Sequence, residues 1–474
     1  MRHIFSILFL FSAFVLSSFA QGKTVEVSSI AELAKYAAEN GKSIKMKPGV
    51  YKMSDYFTDE KASEFKRNFK PEPSRQPVWM LEFGGNNNKF DLQNVIIEID
   101  TSLYAKLPQG EYTRCLFISG NNNQFKGLTI RNTGDINKGS NGNILTVFGD
   151  GNLLEDISLF ITGSFPYGYG DLFGKGGPNL LPTQKQSGIM IGGSDTILRR
   201  CKVISRAFGH CFYIQGGINT RFEDCYAEGT MRPTSEMIKE TSGVAFDLNF
   251  RSVYENRDGR FMITPGYMKS LTEDGFRTYG SGGPKNRKTE KTVFINCTAV
   301  NTRAGFEISG SEDQKDKTIL EGVQAFGTER GFLIGPNVIV RNGRGDLKYG
   351  PLLYLRGGKD SDVELEVVGN TSDHTVHAVA TIAGENHRVR FFTNETNRVI
   401  PSYPIMLGFA MPDHAEMSSP IKPLATKNVT LINEISRVPI IKSELLTEEK
   451  IESKGLVLSD ADSKKLPPSA KGKW

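Results

Sequence analysis

Three residues able to do chemistry stand in the same local setting. Tyr213 lies between Phe212 and Ile214, Asp247 between Phe246 and Leu248, and Glu307 between Phe306 and Ile308. Two apolar residues with one residue between them fit a strand with one buried face, so the middle side chain points away from the core. If the three strands are neighbours in a parallel sheet, Tyr213, Asp247 and Glu307 form an outward column at a spacing of about 4.8 Å. Two carboxylates that close disfavour each other's ionisation unless a cation lies beside them. Asp247 and Glu307 are therefore candidates either to hold Ca²⁺, a hard cation that takes carboxylate oxygens, or to act as an acid and base pair. Gln215, Asn249 and Ser309 would flank them, and Glu82, Phe117, Met190, Leu333 and Tyr354 would extend the column.

Cations are concentrated next to this column. Between Phe250 and Lys291 stand nine Lys or Arg (251, 257, 260, 269, 277, 285, 287, 288, 291) against five acids (255, 258, 273, 274, 290). The whole 474-residue chain has a formal charge of only +5. A basic wall beside the carboxylates would attract an anionic partner. The modest overall charge argues against nucleic acid.

The elements that would position these residues follow from a repeat. The phrase bulky-x-bulky-x-Gly returns as Leu116-Phe117-Ile118-Ser119-Gly120, Phe212-Tyr213-Ile214-Gln215-Gly216 and Phe306-Glu307-Ile308-Ser309-Gly310, with Phe332-Leu333-Ile334-Gly335 a variant. A second phrase follows downstream, in Phe125 with Leu128 and Ile130, Phe222 with Cys225 and Ala227, and Phe294 with Cys297 and Ala299. Anchors at Phe83, Ile118, Val147, Ile191, Ile214, Leu248, Ile308, Ile334, Leu355, Ile382 and Leu407 are as little as 21 to 27 residues apart. That is too short for a four-stranded propeller blade, and no helical period intervenes, so a coil of three strands fits. Such units bury a core only by stacking. Ile30, Leu33, Tyr36 and Ala37 share one face of a short helix after Ser29, placed to cap the open end of the stack. Extra residues at about 134–143, 163–186 and 229–243 fall on one edge of the first strand. Those at 250–291 fall on the other, and together they would wall a groove.

The chain resembles the right-handed parallel β-helices of the pectin-lyase-like superfamily. The resemblance rests on the repeat, on the opening Ile44-Lys45-Met46-Lys47-Pro48-Gly49-Val50-Tyr51, and on the turns Gly85-Asn86-Asn87-Asn88-Lys89-Phe90 and Gly120-Asn121-Asn122-Asn123-Gln124-Phe125. It implies an all-β solenoid of about eleven or twelve rungs over residues 44–435. A cap would occupy 21–43, and the lysine- and proline-bearing tail 436–474 would be irregular. The resemblance also implies a polysaccharide partner, and the basic segment narrows this to an anionic one, uronate-containing or sulfated. Three readings stand. In β-elimination a base (Tyr213, His210 or Lys239) removes the C5 proton, Arg251 or Arg303 neutralises the adjacent carboxylate, and Asp247 with Glu307 holds Ca²⁺. In hydrolysis Asp247 and Glu307 are themselves the catalytic pair. In the third, the groove binds glycan without turnover. Gln215, Asn249, Arg303, Tyr354 and Tyr167 are candidate substrate contacts, the tyrosines as stacking platforms.

Arg2 and His3 before the apolar run Ile4 to Val15, with Ser18-Phe19-Ala20 as a small-x-small site, read as a signal peptide of residues 1–20 cleaved after Ala20. A secreted or periplasmic chain without a membrane span is expected, and a monomer. Five cysteines cannot all pair, and Cys201, Cys225 and Cys297 share one repeat position, which predicts a buried thiol stack. The Gly- and Tyr-rich segment 165–175 lacks the Gly-Lys-Ser/Thr ending of a phosphate loop.

Overall fold

The computed structural model describes residues 24–68, 78–107, 113–134, 141–174, 179–283, 285–310, 312–369, 377–394, 403–411 and 419–464. Residues 1–20, expected as a signal peptide, and the end of the tail lie outside these. Among the described residues no helix is long and apolar enough to cross a membrane.

The repeat folds as a parallel β-helix. One face is a run of parallel strands: β1 (Val78–Phe83), β2 (Thr113–Ile118), β3 (Gly142–Val147), β4 (Gln186–Ile191), β5 (Phe212–Gln215), β6 (Asp274–Tyr279), β7 (Ala304–Ile308), β8 (Arg330–Ile334), β9 (Leu353–Lys359), β10 (Ala380–Glu385), β11 (Ile405–Leu407), β12 (Ile440–Lys442) and β13 (Val457–Ser459). The other two faces form a single 20-stranded sheet, in which ladders such as Arg221–Glu223 on Val293–Ile295 and Tyr226–Glu228 on Thr298–Val300 run side by side. Each coil thus contributes three strands, as the spacing of the anchors predicts.

Equivalent side chains pile up in the interior. Phe212, Phe276, Phe306 and Phe332 stack in sequence with ring centroids 4.9, 4.9 and 5.3 Å apart, and all are fully buried. Phe222 and Phe294 stack at 4.9 Å and meet this column edge-on. Each buried ring contributes about 1.5–3 kcal/mol by burial and each stacked pair about 0.5–1.5 kcal/mol more. All five cysteines are free and buried, in keeping with the thiol stack. The asparagine turns form a ladder: the Asn88 amide donates to Asn123 Oδ1 (2.8 Å) and the Asn123 amide to Asn152 Oδ1 (2.9 Å). The neighbouring Asn87 and Asn122 adopt φ of 59° and 56°, a conformation asparagine tolerates better than most residues.

At the ends, α1 (Ile30–Ala37) caps the stack as expected, with Ser29 Oγ accepting from the Glu32 amide at 3.1 Å. The strand Val25–Val27 before it already pairs with Ser43–Met46. The stack also continues past residue 435. Ile440–Lys442 and Val457–Ser459 extend the first face, and Lys450–Ser453 extends the second sheet, so the segment expected to be irregular holds paired strands.

The main correction concerns the coil between β5 and β7. Val244–Asp247, expected as a strand, is a helical turn, α2, in which the Asp247 amide donates to Gly243 O (2.9 Å) and the Leu248 amide to Val244 O (3.1 Å). Its Ala245 packs with Tyr169, Leu172, Phe173, Met237, Tyr254 and Ile263 in a satellite core, while Phe246 is 47% exposed. The strand of this coil is β6, whose Phe276 takes the place expected of Phe246. Residues 230–273 therefore form one insertion on the same edge as 162–185, rather than two on opposite edges. Of the described residues of 250–291, the short hairpin of Ser281–Gly282 with Arg287–Lys288 lies on the other side of the first face.

A second departure is local. A Cβ on Gly275 would stand 2.8 Å from that of Ala299, and one on Gly305 2.7 Å from that of Ala325, so these glycines face the interior next to inward Phe276 and Phe306. Two successive inward residues break the strict alternation of a strand. Cys211 occupies the same position and is fully buried. The residue before each of them is thereby turned to the outer face: His210, Asp274 and Ala304.

Candidate active site

On the outer face the register aligns Met190, Tyr213, Arg277, Glu307, Leu333 and Tyr354 across β4 to β9. Arg277, not Asp247, separates Tyr213 from Glu307. Asp247 is exposed on α2, so the two expected carboxylates are not brought together, and with them goes the expected pair for acid–base work or Ca²⁺. Among the described residues no group of three or more His, Cys, Asp or Glu is arranged to hold a metal. Asn249, Lys239 and Arg251 are exposed on the same insertion and belong to no strand of the face.

The residues that do converge form a proton relay and an ion cluster. His210 Nε2 lies 2.9 Å from Tyr279 Oη, and its Nδ1 is 3.0 Å from Asp274 Oδ2. Carboxylates face both ring nitrogens, Asp274 at Nδ1 and Glu273 Oε2 3.5 Å from Nε2; the shorter contact, to Asp274, favours the proton on Nδ1, with Nε2 accepting from the tyrosine. His210 therefore faces outward. Tyr213 completes an aromatic trio, 5.3 Å from the His210 ring and 6.2 Å from that of Tyr279, and its hydroxyl donates to Asn143 Oδ1 at 2.8 Å. Burial is the main influence on the Tyr279 phenol and drives its pKa up; Arg277 opposes this and Glu273, Asp274 and Glu307 add to it.

Arg303 anchors the cluster. Its guanidinium contacts Asp171 (3.0 Å), Glu273 (3.3 Å), Asp274 (2.9 Å) and Glu307 (3.2 Å), all buried. So Arg303, nominated as a substrate contact, is enclosed by acids of the protein itself. Lys269 pairs with Asp171 (2.5 Å) and Glu329 (3.0 Å), and Lys185 with Glu273 (2.8 Å). These pairs fasten both insertions to the sheet, since Asp171 comes from one and Lys269 from the other. Burial pushes the Glu273 carboxyl up, but the charges of Lys185 and Arg303 oppose it, and its pKa is held at about 2.

The basic wall is dispersed accordingly. Lys269 is buried in the cluster, Arg277 lies in the sheet, and Arg260 pairs with Asp258. Lys285 binds Asp150, Lys288 binds Asp313 and Arg287 binds Gly216 O, on the far edge. Of the other nominated contacts, Tyr354 is buried, with its hydroxyl 2.8 Å from His377 Nε2, and Tyr167 is half-buried in segment 162–185. Gln215 is half-exposed and in register with Tyr279.

What remains accessible is a strip that crosses the strands. Gln215 of β5 pairs with Tyr279 of β6, and Ser309 and Gly335, the residues just past β7 and β8, with Arg356 of β9 continue that level by extension of the register; all five are half-exposed. With adjacent strands about 4.8 Å apart, it runs for roughly 19 Å, a length suited to an extended chain. Arg277 lies beneath it, with its guanidinium 4.5 Å from the centre of the Tyr279 ring. Asp274, Arg277 and Tyr279 were missed from sequence because Thr278 stands where the repeat calls for a second bulky residue. The dipeptide Gly275-Phe276, matching Gly305-Phe306 and Gly331-Phe332, is the signal that identifies their strand.

No protein-family profile matches the chain, and no curated protein does. Among solved structures it is similar to a family 6 alginate lyase bound to a trisaccharide, at 11% identity over 94% of this chain and 88% of that one, with a TM-score of 0.47. It is similar to a mannuronic acid-specific family 6 polysaccharide lyase from human gut microbiota, at 9% identity over 90% and 83% with a TM-score of 0.44. The catalytic domain of a family 87 α-1,3-glucanase in complex with nigerose aligns at 10% identity over 92% and 66% with a TM-score of 0.43.

Proposed function

We propose that this protein is an exported polysaccharide lyase that cleaves a uronate-containing polymer by β-elimination. The observation that carries the reading is the Asp274–His210–Tyr279 relay, which opens onto a half-exposed strip with a guanidinium beneath it. Elimination needs a base for the C5 proton, an acid for the departing O4, and a cation for the carboxylate whose adjacent C–H is weakened. Arg277 is the neutralising cation. On substrate binding the Tyr279–His210 hydrogen bond opens: Tyr279, held protonated by burial, delivers its proton to O4, and the freed His210 Nε2 accepts the C5 proton and passes it back to the Tyr279 phenolate when the bond re-forms, with Tyr213 lining the same pocket of aromatic rings. The C5–H electrons form the C4=C5 double bond as the C4–O4 pair leaves with the oxygen, so no water is consumed. Hydrolysis loses support because it requires two carboxyl groups facing each other across the scissile bond. Asp247 lies on α2 and not in the column, and Glu307 has both oxygens on arginines.

Incubation with a panel of polyuronates and a neutral glucan tests this. An ultraviolet absorbance rise from unsaturated uronate ends on an acidic polymer is expected. New reducing ends without that absorbance would make the protein a hydrolase, and retention on polyuronate without either would make it a binder.

A further inference from the structure

Glu307 is met by three guanidinium groups, and they approach its two oxygens differently. Oε2 is held from inside by Arg303, itself 5% exposed and engaged with three other acids at 2.9–3.3 Å. Oε1 faces the mouth, where it takes Arg277 and, at 3.8 Å, Arg356. These two are the accessible members, with side chains 13% and 34% exposed. Arg277 has a buried Nε with no hydrogen-bond acceptor. Arg356 leans over β8, whose residue at that level is Gly335, and a Cβ on the following Gly357 would meet nothing within 4 Å. The two side chains leave strands about 14 Å apart, β6 and β9, and their guanidiniums converge on a single oxygen.

We infer that Glu307 is an internal counter-anion, standing in for an acidic group of the substrate, and that Arg356 is a second carboxylate subsite beside that of Arg277. In the free protein Oε1 keeps the mouth arginines neutralised and ordered. When an acidic sugar arrives, its carboxylates take Arg277 and Arg356, while Glu307 stays anchored through Oε2 to Arg303. The carboxylate of Glu307 then competes with substrate for the same donors, so it sets affinity and selects for chains bearing at least two charged residues. This rests on the uronate reading of the site. It assigns Glu307 a role opposite to that of a catalytic carboxylate, whose loss would weaken turnover without tightening binding.

Calorimetry with a hexauronate and its methyl-esterified, neutral form tests the inference, in the Tyr279→Phe background to suppress turnover. Glu307→Gln should bind the hexauronate about five- to tenfold more tightly than the parent, and Arg356→Gln about tenfold more weakly, with the ester unaffected in both. Because Glu307→Gln removes a buried partner of Arg303 and can compromise folding, Glu307→Asp is the companion variant. It withdraws the carboxylate from the mouth by one methylene, keeps its charge, and should also tighten binding. Unchanged or weakened hexauronate binding in the folded Glu307 variants overturns the counter-anion role, and unchanged binding in Arg356→Gln overturns the second subsite. Failure of the parent to bind any hexauronate instead overturns the uronate reading beneath both.

Discussion

Tyr279→Phe removes one oxygen and leaves everything else at that position in place. The ring still packs beside His210, 5.8 Å between centroids, and against the Arg277 guanidinium at 4.5 Å. The structural cost is the single bond to His210 Nε2 at 2.9 Å, a net loss of about 1 kcal/mol for a neutral pair. The catalytic cost is larger if the hydroxyl hands a proton to the leaving oxygen. General acid catalysis contributes about 10²–10⁴-fold, equivalent to roughly 3–5 kcal/mol of barrier at 1.36 kcal/mol per decade. The expected result is a kcat lowered at least a hundredfold with KM within threefold, because ring and guanidinium contacts survive. Initial rates of ultraviolet absorbance on the responsive polyuronate give kcat and KM, and urea unfolding checks that stability falls by no more than about 1 kcal/mol. A kcat within threefold of wild type in the folded variant would refute the role of the relay.

Other outcomes follow from the same geometry. Asp247→Asn, exposed on α2, should leave kcat unchanged and shift stability by less than about 0.5 kcal/mol; a large loss of rate would restore the carboxylate column. Phe276→Ala should cost about 3–5 kcal/mol in denaturant unfolding, whereas Phe246→Ala, 47% exposed, should cost far less, and equal effects would contradict the assignment of β6. Glu273, with a folded pKa of about 2 against an ordinary 4.5, contributes stability that is fully present above pH 4.5 and lost as pH falls toward 2. At 1.36 kcal/mol per unit this is about 3 kcal/mol, so Glu273→Gln should flatten the decline of urea midpoints between pH 5 and pH 2. An unaltered slope would show that other carboxyls govern acid unfolding.

The repeat made the architecture legible because burial acts on equivalent residues coil after coil. Phe212, Phe306 and Phe332 announce an inward column, and the asparagine turns announce the corners. The site was only half legible. Tyr213, His210, Gln215, Arg303 and Glu307 were placed on or beside the right face because they adjoin regular strands. Asp247 was misplaced because Phe246-Asp247-Leu248 imitates the strand phrase, and nothing local says that Ala245 finds a satellite core formed by an insertion. Conversely, Thr278 is tolerated in β6 because its hydroxyl bonds Ser309 O at 3.0 Å, a long-range contact that hydrophobic pattern does not encode. Six of the nine cations, at 251, 257, 260, 285, 288 and 291, are exposed as expected, but they are not gathered into one wall beside the column. Charge composition counts Lys269 and Arg277 but not the acids that folding brings to them from other coils.

The most direct test of the central claim is a crystal structure of Tyr279→Phe with a uronate tetrasaccharide. The account predicts sugar rings lying across β5, β6 and β7 along Gln215, residue 279 and Ser309, with one carboxylate on Arg277. Saccharide bound on α2 near Asp247, or on either face of the second sheet, would contradict it.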